Sequence, residues 1–339
     1  MNNKKKGICI VSALVALIAA VCAYLLFVSP FGLKDTAYVY VDEDDTMDSI
    51  SAKVSEAGQP STVLGYSLMS ALKRFSTPRT GCYAIEPGMN MFRCVRNLAN
   101  GRQTPVKLNV PEVRTVEDMA SRLSSQLMIS EDEILAALND AALMDSLKYT
   151  KETIPCLFIP NTYEIYWNIS PKALVTRMNK EKEAFWTDER KQQAKEIGMT
   201  PEEVVTLASI VESETSYGPE KATVAGLYKH RMDVDMPLQS DPTVIFAIGD
   251  FNIHRVTNEQ THFESPYNTY INKGLPPGPI RIPSIKGIDA VLHYDHNEYI
   301  YMCAKEDFSG SHNFTSSYSE HLANARRYQQ ALNQRGIMK

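Results

Sequence analysis

The sequence predicts a mixed α+β protein carried on a single N-terminal helix, and three observations lead there. Residues 8–28 form an uncharged apolar run behind Lys4, Lys5 and Lys6. After it, short β-branched or aromatic segments such as Ala37-Tyr38-Val39-Tyr40-Val41 alternate with helical patterns. Those patterns begin at Thr or Ser and stop at Gly, the usual N-cap and C-terminal signals. With 339 residues, 44% of them hydrophobic, the chain can bury a full core and has room for two domains.

The apolar run has roughly the ~20 residues a helix needs to cross hydrocarbon, and the lysines before it predict a cytoplasmic N-terminus. It is longer than the ~7–15-residue apolar core of a cleaved signal peptide, and no small-x-small site follows before Ser29-Pro30. An uncleaved anchor is therefore expected over residues 8–28, behind a tail of residues 1–7. A lipidated Cys22 is the weaker reading, since Val21 precedes it and the apolar run continues beyond it.

Next come a strand at 37–41, a helix over 46–57 capped by Thr46, helices over 61–75 and 90–100, and a strand at 83–85 between those two. Gly101 ends the last of these helices. A strand at 106–110 and a helix over 115–126 follow, with Glu117 and Asp118 suiting the first-turn dipole. The segment at 130–147 reads as one helix, and 171–197 as a long helix broken near Thr187. Gly198 closes it. Thr200-Pro201-Glu202-Glu203 then supplies an N-cap, a first-turn proline and a capping-box glutamate. Further helices are expected over 219–231, from Asp241 onward and over 319–335, with a strand at 299–304.

Composition excludes some functions. Lys and Arg number 35 against 40 Asp and Glu, so the net charge of −5 offers no basic surface for phosphates and no nucleic-acid partner is expected. Of six cysteines, Cys9 and Cys22 lie in the anchor. Cys82, Cys94, Cys156 and Cys303 show no Cys-x-x-Cys spacing, so neither a zinc site nor a dithiol centre is expected. Buried unpaired thiols are expected, with a Cys82–Cys94 disulfide as the alternative. His293 and His296 are spaced for one helix face without a third ligand, and Asp42-Glu43-Asp44-Asp45 lacks the glycine and terminal glutamate of a calcium loop. No metal and no cofactor are called for; a surface pair and a solvated turn are expected.

The helix after Thr200 carries Val205-Thr206-Leu207-Ala208-Ser209-Ile210-Val211-Glu212-Ser213-Glu214-Thr215, two carboxylates closing an apolar run. Desolvation raises a carboxyl pKa, which lets a glutamate hold a proton for a leaving group such as a glycosidic oxygen. Glu212 and Glu214 stand ~200° apart around the helix, so they cannot share one pocket. Both directions meet apolar neighbours, and periodicity leaves the choice between them open.

This segment resembles the catalytic helix of the endolytic murein transglycosylases, the YceG-like family. The chain repeats other blocks of that family in order: Leu157-Phe158-Ile159-Pro160-Asn161-Thr162-Tyr163-Glu164, Leu238-Gln239-Ser240-Asp241-Pro242-Thr243, Tyr267-Asn268-Thr269-Tyr270, Gly274-Leu275-Pro276-Pro277-Gly278-Pro279 and Ser311-His312-Asn313-Phe314. The resemblance implies Glu212 as general acid and Glu214 as a supporting carboxylate. It implies a sugar cleft lined by Gln239, Ser240, Asp241, Tyr267, Asn268, Thr269 and Tyr270, with Asn161 and Glu164 nearby. Asn161 stands where the family has Asp, which puts a catalytic base there in doubt. Residues 36–112 occupy the place of a LysM-like membrane-proximal subdomain, and 113–339 that of the catalytic domain.

What the resemblance implies is an inner-membrane, single-pass enzyme with a periplasmic catalytic domain. It would cut the MurNAc–GlcNAc bond of nascent peptidoglycan strands, leave a 1,6-anhydro end and work beside wall-synthesis complexes. One acid suffices because the sugar's own C6 hydroxyl attacks C1. Two alternatives stay open: a peptidoglycan-binding scaffold without turnover, and a hydrolase whose second acid is Glu264 or Asp241.

Overall fold

The computed structural model describes residues 3–27, 31–58 and 79–336. The chain divides into two compact units: Met1–Leu108 with Gln126–Ile129 and Tyr163–Ser170, and Asn109–Ser125 with Ser130–Thr162 and Pro171–Lys339.

The first unit opens with helix α1 (Asn3–Phe27), in which Lys6–Tyr24 has a mean hydropathy of 2.5 and no burial within the protein. This helix is long and apolar enough to cross a membrane. Strand β1 (Ala37–Val41) pairs antiparallel with β2 (Gly81–Ile85), Val39 lying opposite Tyr83. The period of two turns Val39 and Val41 inward and leaves Tyr38 and Tyr40 outside, where Tyr40 meets Trp167 edge-on at 5.1 Å. Helix α2 (Met47–Ala57), capped by Thr46 through a reciprocal bond with Ser49, adds Ile50 and Val54 to this core. Helix α3 (Met91–Asn100), capped by Asn90, adds Met91, Cys94, Val95 and Leu98, and ends where Gly101 takes φ 64°. Asp45 is not part of a freely solvated turn: its side chain is 4% exposed and bonds Lys53 Nζ at 2.5 Å and Ser49 Oγ at 2.7 Å. The expected helix at 61–75 lies outside the described residues.

Strand β3 (Val106–Val110) is paired with β4 (Asn161–Ile165). Helices α4 (Val116–Ser124), α5 (Glu131–Leu138) and α6 (Ala141–Leu147) follow β3. The single helix expected over 130–147 is therefore two. Asn139 ends the first turn-set, and the Asp140 carboxylate accepts from Leu143 N at 3.1 Å, restarting the helix as a new N-cap. Helices α7 (Pro171–Phe185) and α8 (Asp188–Glu196) break at Thr187, as its capping chemistry predicts.

Helix α9 (Pro201–Glu214) is the centre of the second unit. Thr200 and Glu203 form the expected capping box. Every residue from Val204 to Val211 is buried, so the helix is enclosed on all sides, which is why its sequence is apolar all round. Around it lie α8, α10 (Lys221–Asp233), α11 (Asp241–Ile248) and α12 (Ile285–Leu292). Ser209 Oγ accepts from Ile280 N at 3.0 Å and pins the proline-rich segment against α9. Helix α12 and strand β6 were not expected from the sequence. β5 (Tyr301–Ala304) and β6 (His312–Thr315) form an antiparallel hairpin beneath α13 (Tyr318–Gln334). His293 closes α12 and His296 follows it in a loop, both exposed, so they share a surface but no helix face. All six cysteines are free, with Cys82, Cys94 and Cys156 buried.

Candidate active site

Glu212 and Glu214 leave the last turn of α9 in different directions, and neither points to open solvent. Glu212 accepts from Lys221 Nζ at 2.6 Å on Oε1 and from Ser284 Oγ at 2.9 Å on Oε2. Its side chain and that of Lys221 are each 10% exposed. Ser284 Oγ also accepts from Gly287 N at 3.0 Å, capping α12. A Cβ on Gly287 would stand 2.5 Å from Glu212 Oε2, so any larger residue there would push the Glu212 carboxylate aside. Glu212 thus ties α9 to the starts of α10 and α12, with its oxygens occupied by protein donors. Glu212, the general acid that the resemblance implies, is not among the residues lining the cavity at Glu214.

Glu214 lines a cavity of about 370 Å³ with Tyr228, Arg231, Gln239, Asp241, Tyr270, Tyr301, Tyr318 and His321. Two hydroxyls donate to the same carboxylate oxygen, Oε1: Tyr228 at 2.6 Å and Ser240 at 2.5 Å. Burial pushes the Glu214 carboxyl above its ordinary range, and the Asp241 charge adds to this. The Ser240 and Tyr228 bonds and His312 pull the other way without cancelling it. Asp241 accepts from Tyr270 OH at 2.5 Å, and burial followed by that bond raises the Tyr270 phenol, keeping it a donor.

The scaffold behind these groups is polar and closed. Arg231, 8% exposed, donates to Leu238 O at 2.6 Å and Ile300 O at 2.7 Å, fixing the backbone just before Gln239. Thr215, the C-cap of α9, donates to Glu220 Oε1 at 2.6 Å, and Glu220 is held in turn by His312 N at 2.9 Å and Nδ1 at 2.7 Å. His321 stacks on Tyr301 at 5.0 Å, and burial together with Arg231 lowers its pKa, favouring the neutral imidazole. Its Nδ1 is buried with no hydrogen-bond partner among the described residues. Tyr318, 60% exposed, stands at the mouth.

Among the residues expected in a cleft, Gln239, Asp241 and Tyr270 line this cavity and Ser240, 1% exposed, supports Glu214 from behind. Gln239 holds φ 53°, a left-handed conformation that costs a non-glycine residue of order 1 kcal/mol or more. Asn268 and Thr269 are buried, Asn268 holding its own loop and Thr269 tying that loop to the start of α11. Asn268 Nδ2 donates to Thr261 O and Phe263 O, and Thr269 Oγ1 accepts from Ser240 N at 3.0 Å. Tyr267 lines a different cavity with Phe246. Asn161, Glu164 and Glu264 are exposed and are not among the residues lining the Glu214 cavity.

Sequence reasoning missed Tyr228, Arg231, Tyr301, Tyr318 and His321. Only Ser311-His312-Asn313-Phe314, just upstream of α13, pointed toward that part of the chain. Among the described residues no group of three or more His, Cys, Asp or Glu is placed to hold a metal ion. The arrangement offers one carboxyl biased toward its protonated form, a second carboxylate, and aromatic walls with hydroxyl and amide donors. Such a set suits protonation of an ether oxygen in a polar, ring-shaped ligand.

A family model described as the YceG-like family matches residues 39–327. The endolytic murein transglycosylase of Bacillus subtilis (strain 168) is 24% identical over 318 residues, covering 89% of this chain and 87% of that protein. The endolytic murein transglycosylase of Streptococcus pneumoniae serotype 2 (strain D39 / NCTC 7466) is 24% identical over 305 residues, covering 80% of this chain and 54% of that protein. The chain thus spans about half the length of the streptococcal relative. The crystal structure of a yceG-like protein from Listeria monocytogenes matches with a TM-score of 0.58 at 25% identity, covering 86% of this chain and 99% of that one.

Proposed function

We propose that this chain, which belongs to the YceG-like family, is a membrane-anchored lytic transglycosylase that cuts peptidoglycan strands internally, with Glu214 rather than Glu212 as its general acid. The observation that carries the assignment is the pair of hydroxyl bonds on Glu214 Oε1, in a cavity that also holds Asp241. Oε2 takes neither bond and is the oxygen to present a proton. The names of the relatives from Bacillus and Streptococcus support the substrate class.

In this reading the glycan lies over Tyr301 and Tyr318, and Glu214 gives its proton to the oxygen between MurNAc C1 and the next sugar. The C1–O bond breaks, and positive charge builds on the ring beside the Asp241 carboxylate. The C6 hydroxyl of the same MurNAc then bonds to C1 and returns its proton to the Glu214 carboxylate, restoring the acid and leaving a 1,6-anhydro end. Ring closure within one bound sugar needs no water and benefits from a high effective concentration. Tyr228 and Ser240 stabilise the carboxylate that exists between the two transfers.

Asp241 in the same cavity favours one second reading, hydrolysis with Asp241 activating a water. The membrane placement follows α1 and the lysines in its first turn, with the chain beyond this helix on the outer side, next to wall-synthesis complexes. The β1–α2…β2 order of the first unit, with its strands antiparallel, supports a LysM-like role in holding glycan.

Mass spectrometry of digested glycan tests the proposal. Wild type releases anhydro-ended fragments, Glu214→Gln releases none, and Glu212→Gln releases them in proportion to its folded fraction. Reducing ends would establish the hydrolase. Activity retained by Glu214→Gln would refute the assignment of the acid.

A further inference from the structure

A second cavity of about 370 Å³ lies in the same unit as the Glu214 cavity, and the reaction proposed above does not use it. Its floor is apolar: Leu138, Ile154 and Pro279 are buried, and Phe246 and Tyr267 form a tilted aromatic pair with centroids 4.9 Å apart. Its rim is charged in both signs. Arg114 and Lys151 face it with Glu117 and Glu152, all four exposed and none in a salt bridge with another described residue.

The two cavities share structural members. Asp241 lines the catalytic one and Phe246 the other, five residues on along α11, an axial rise of about 7.5 Å. Tyr270 and Tyr267, one helical turn's worth of sequence apart, are divided in the same way. The wall between Glu152 and the proline-rich segment is tight: a Cβ on Gly278 would stand 2.0 Å from Glu152 O, so residue 278 must be glycine for the two backbones to touch.

We infer that this second cavity seats the short peptide that a peptidoglycan strand carries on the lactyl group of its muramic acid. The inference rests on the glycan reading above and names a further part of the same substrate. An apolar floor accepts small alkyl side chains such as alanine methyls but leaves sugar hydroxyls without partners. Exposed cations and anions on one rim, none of them held in a salt bridge, match a ligand that bears both carboxylates and a free ammonium, which a neutral sugar and a purely anionic ligand do not. The peptide binds there while its muramic acid sits at Glu214, so part of the enzyme's selectivity is for strands that still carry their peptides.

The test compares two substrates and one direct titration, using the full chain in detergent. Glycan strands bearing peptides and strands stripped of them by an amidase are digested by wild type and by the double variant Arg114→Gln/Lys151→Gln, whose melting temperature should equal that of wild type. The expected result is a lower KM for peptide-bearing strands in wild type. In the double variant that KM rises by about tenfold, with kcat and the KM for stripped strands unchanged. Equal KM for both strands in wild type, or an equal rise on both in the variant, overturns the inference. In parallel, free stem tetrapeptide is titrated calorimetrically. If wild type cuts neither strand the transglycosylase reading falls, and the titration alone decides the cavity: heat that the double variant loses upholds it, and no heat overturns it.

Discussion

Ser240 Oγ donates to Glu214 Oε1 across 2.5 Å, which joins the N-cap position of α11 to the last residue of α9. A serine at that position ordinarily caps its own helix, yet here the side chain makes no cap bond. Its hydroxyl is diverted to the Glu214 carboxyl. Any stability that Ser240→Ala loses, about 1 kcal/mol, should therefore come from the hydrogen bond to Glu214 and not from a lost N-cap. It should also shift the alkaline limb of the kcat/KM profile to higher pH, because it removes a donor that favours the ionised carboxyl. A pH–rate profile with an unmoved limb would contradict this role.

Glu214 also sets a pH-dependent stability term. Its folded-state pKa lies above the unfolded value, so its contribution is complete below the unfolded value and is lost as pH rises through the folded one. Glu214→Gln removes that loss. This variant should melt above wild type at pH 8, with the gap closing toward pH 4. A gap of the opposite sign, or one independent of pH, would count against a desolvated acid.

The Glu212–Lys221 pair should behave as structure. Removing one partner of a mostly buried pair leaves an uncompensated charge, so Lys221→Met should cost about 3 kcal/mol. Lys221→Met combined with Glu212→Leu should recover much of that. Thermal melts of the single and double variants measure this, and specific activity per folded molecule should change far less than stability. A folded Glu212→Gln protein without activity would instead return the acid to position 212.

Gln239 offers a stability–activity trade. Glycine relieves its left-handed backbone and should raise stability by about 1 kcal/mol, while loss of the side chain from the cavity should raise KM. Chemical denaturation and steady-state kinetics on the same preparation report both effects. A destabilised Gln239→Gly protein would show that the side chain, and not the site, pays for the conformation.

Much of the local structure was legible because it depends on neighbours in sequence. Thr46, Thr115, Thr187 and Thr200 start helices by accepting from a backbone N–H three residues on, and Gly101 and Gly198 stop them with positive φ. The break at Asn139-Asp140 obeys the same chemistry, but the surrounding apolar periodicity hid it. Helix α12 was overlooked because it is short and follows a proline-rich stretch. Strand β6 was overlooked because its four residues, His312 to Thr315, do not alternate cleanly. Of the expected cleft, Gln239, Asp241 and Tyr270 converge on one cavity, whereas Asn268 spends its amide inside its own loop and Thr269 its hydroxyl on the start of α11.

By itself the sequence determined that two carboxylates close an enclosed apolar helix about 200° apart, because a helix sets the angle between its residues. It could not say which direction holds the cavity, since periodicity carries no absolute orientation. That was decided by partners from distant segments: Lys221 and Ser284 occupy Glu212, while Tyr228, Ser240 and the walls of a cavity surround Glu214. Only packing brings those side chains together, so only the tertiary structure separates the carboxylate that joins helices from the one that lines a cavity.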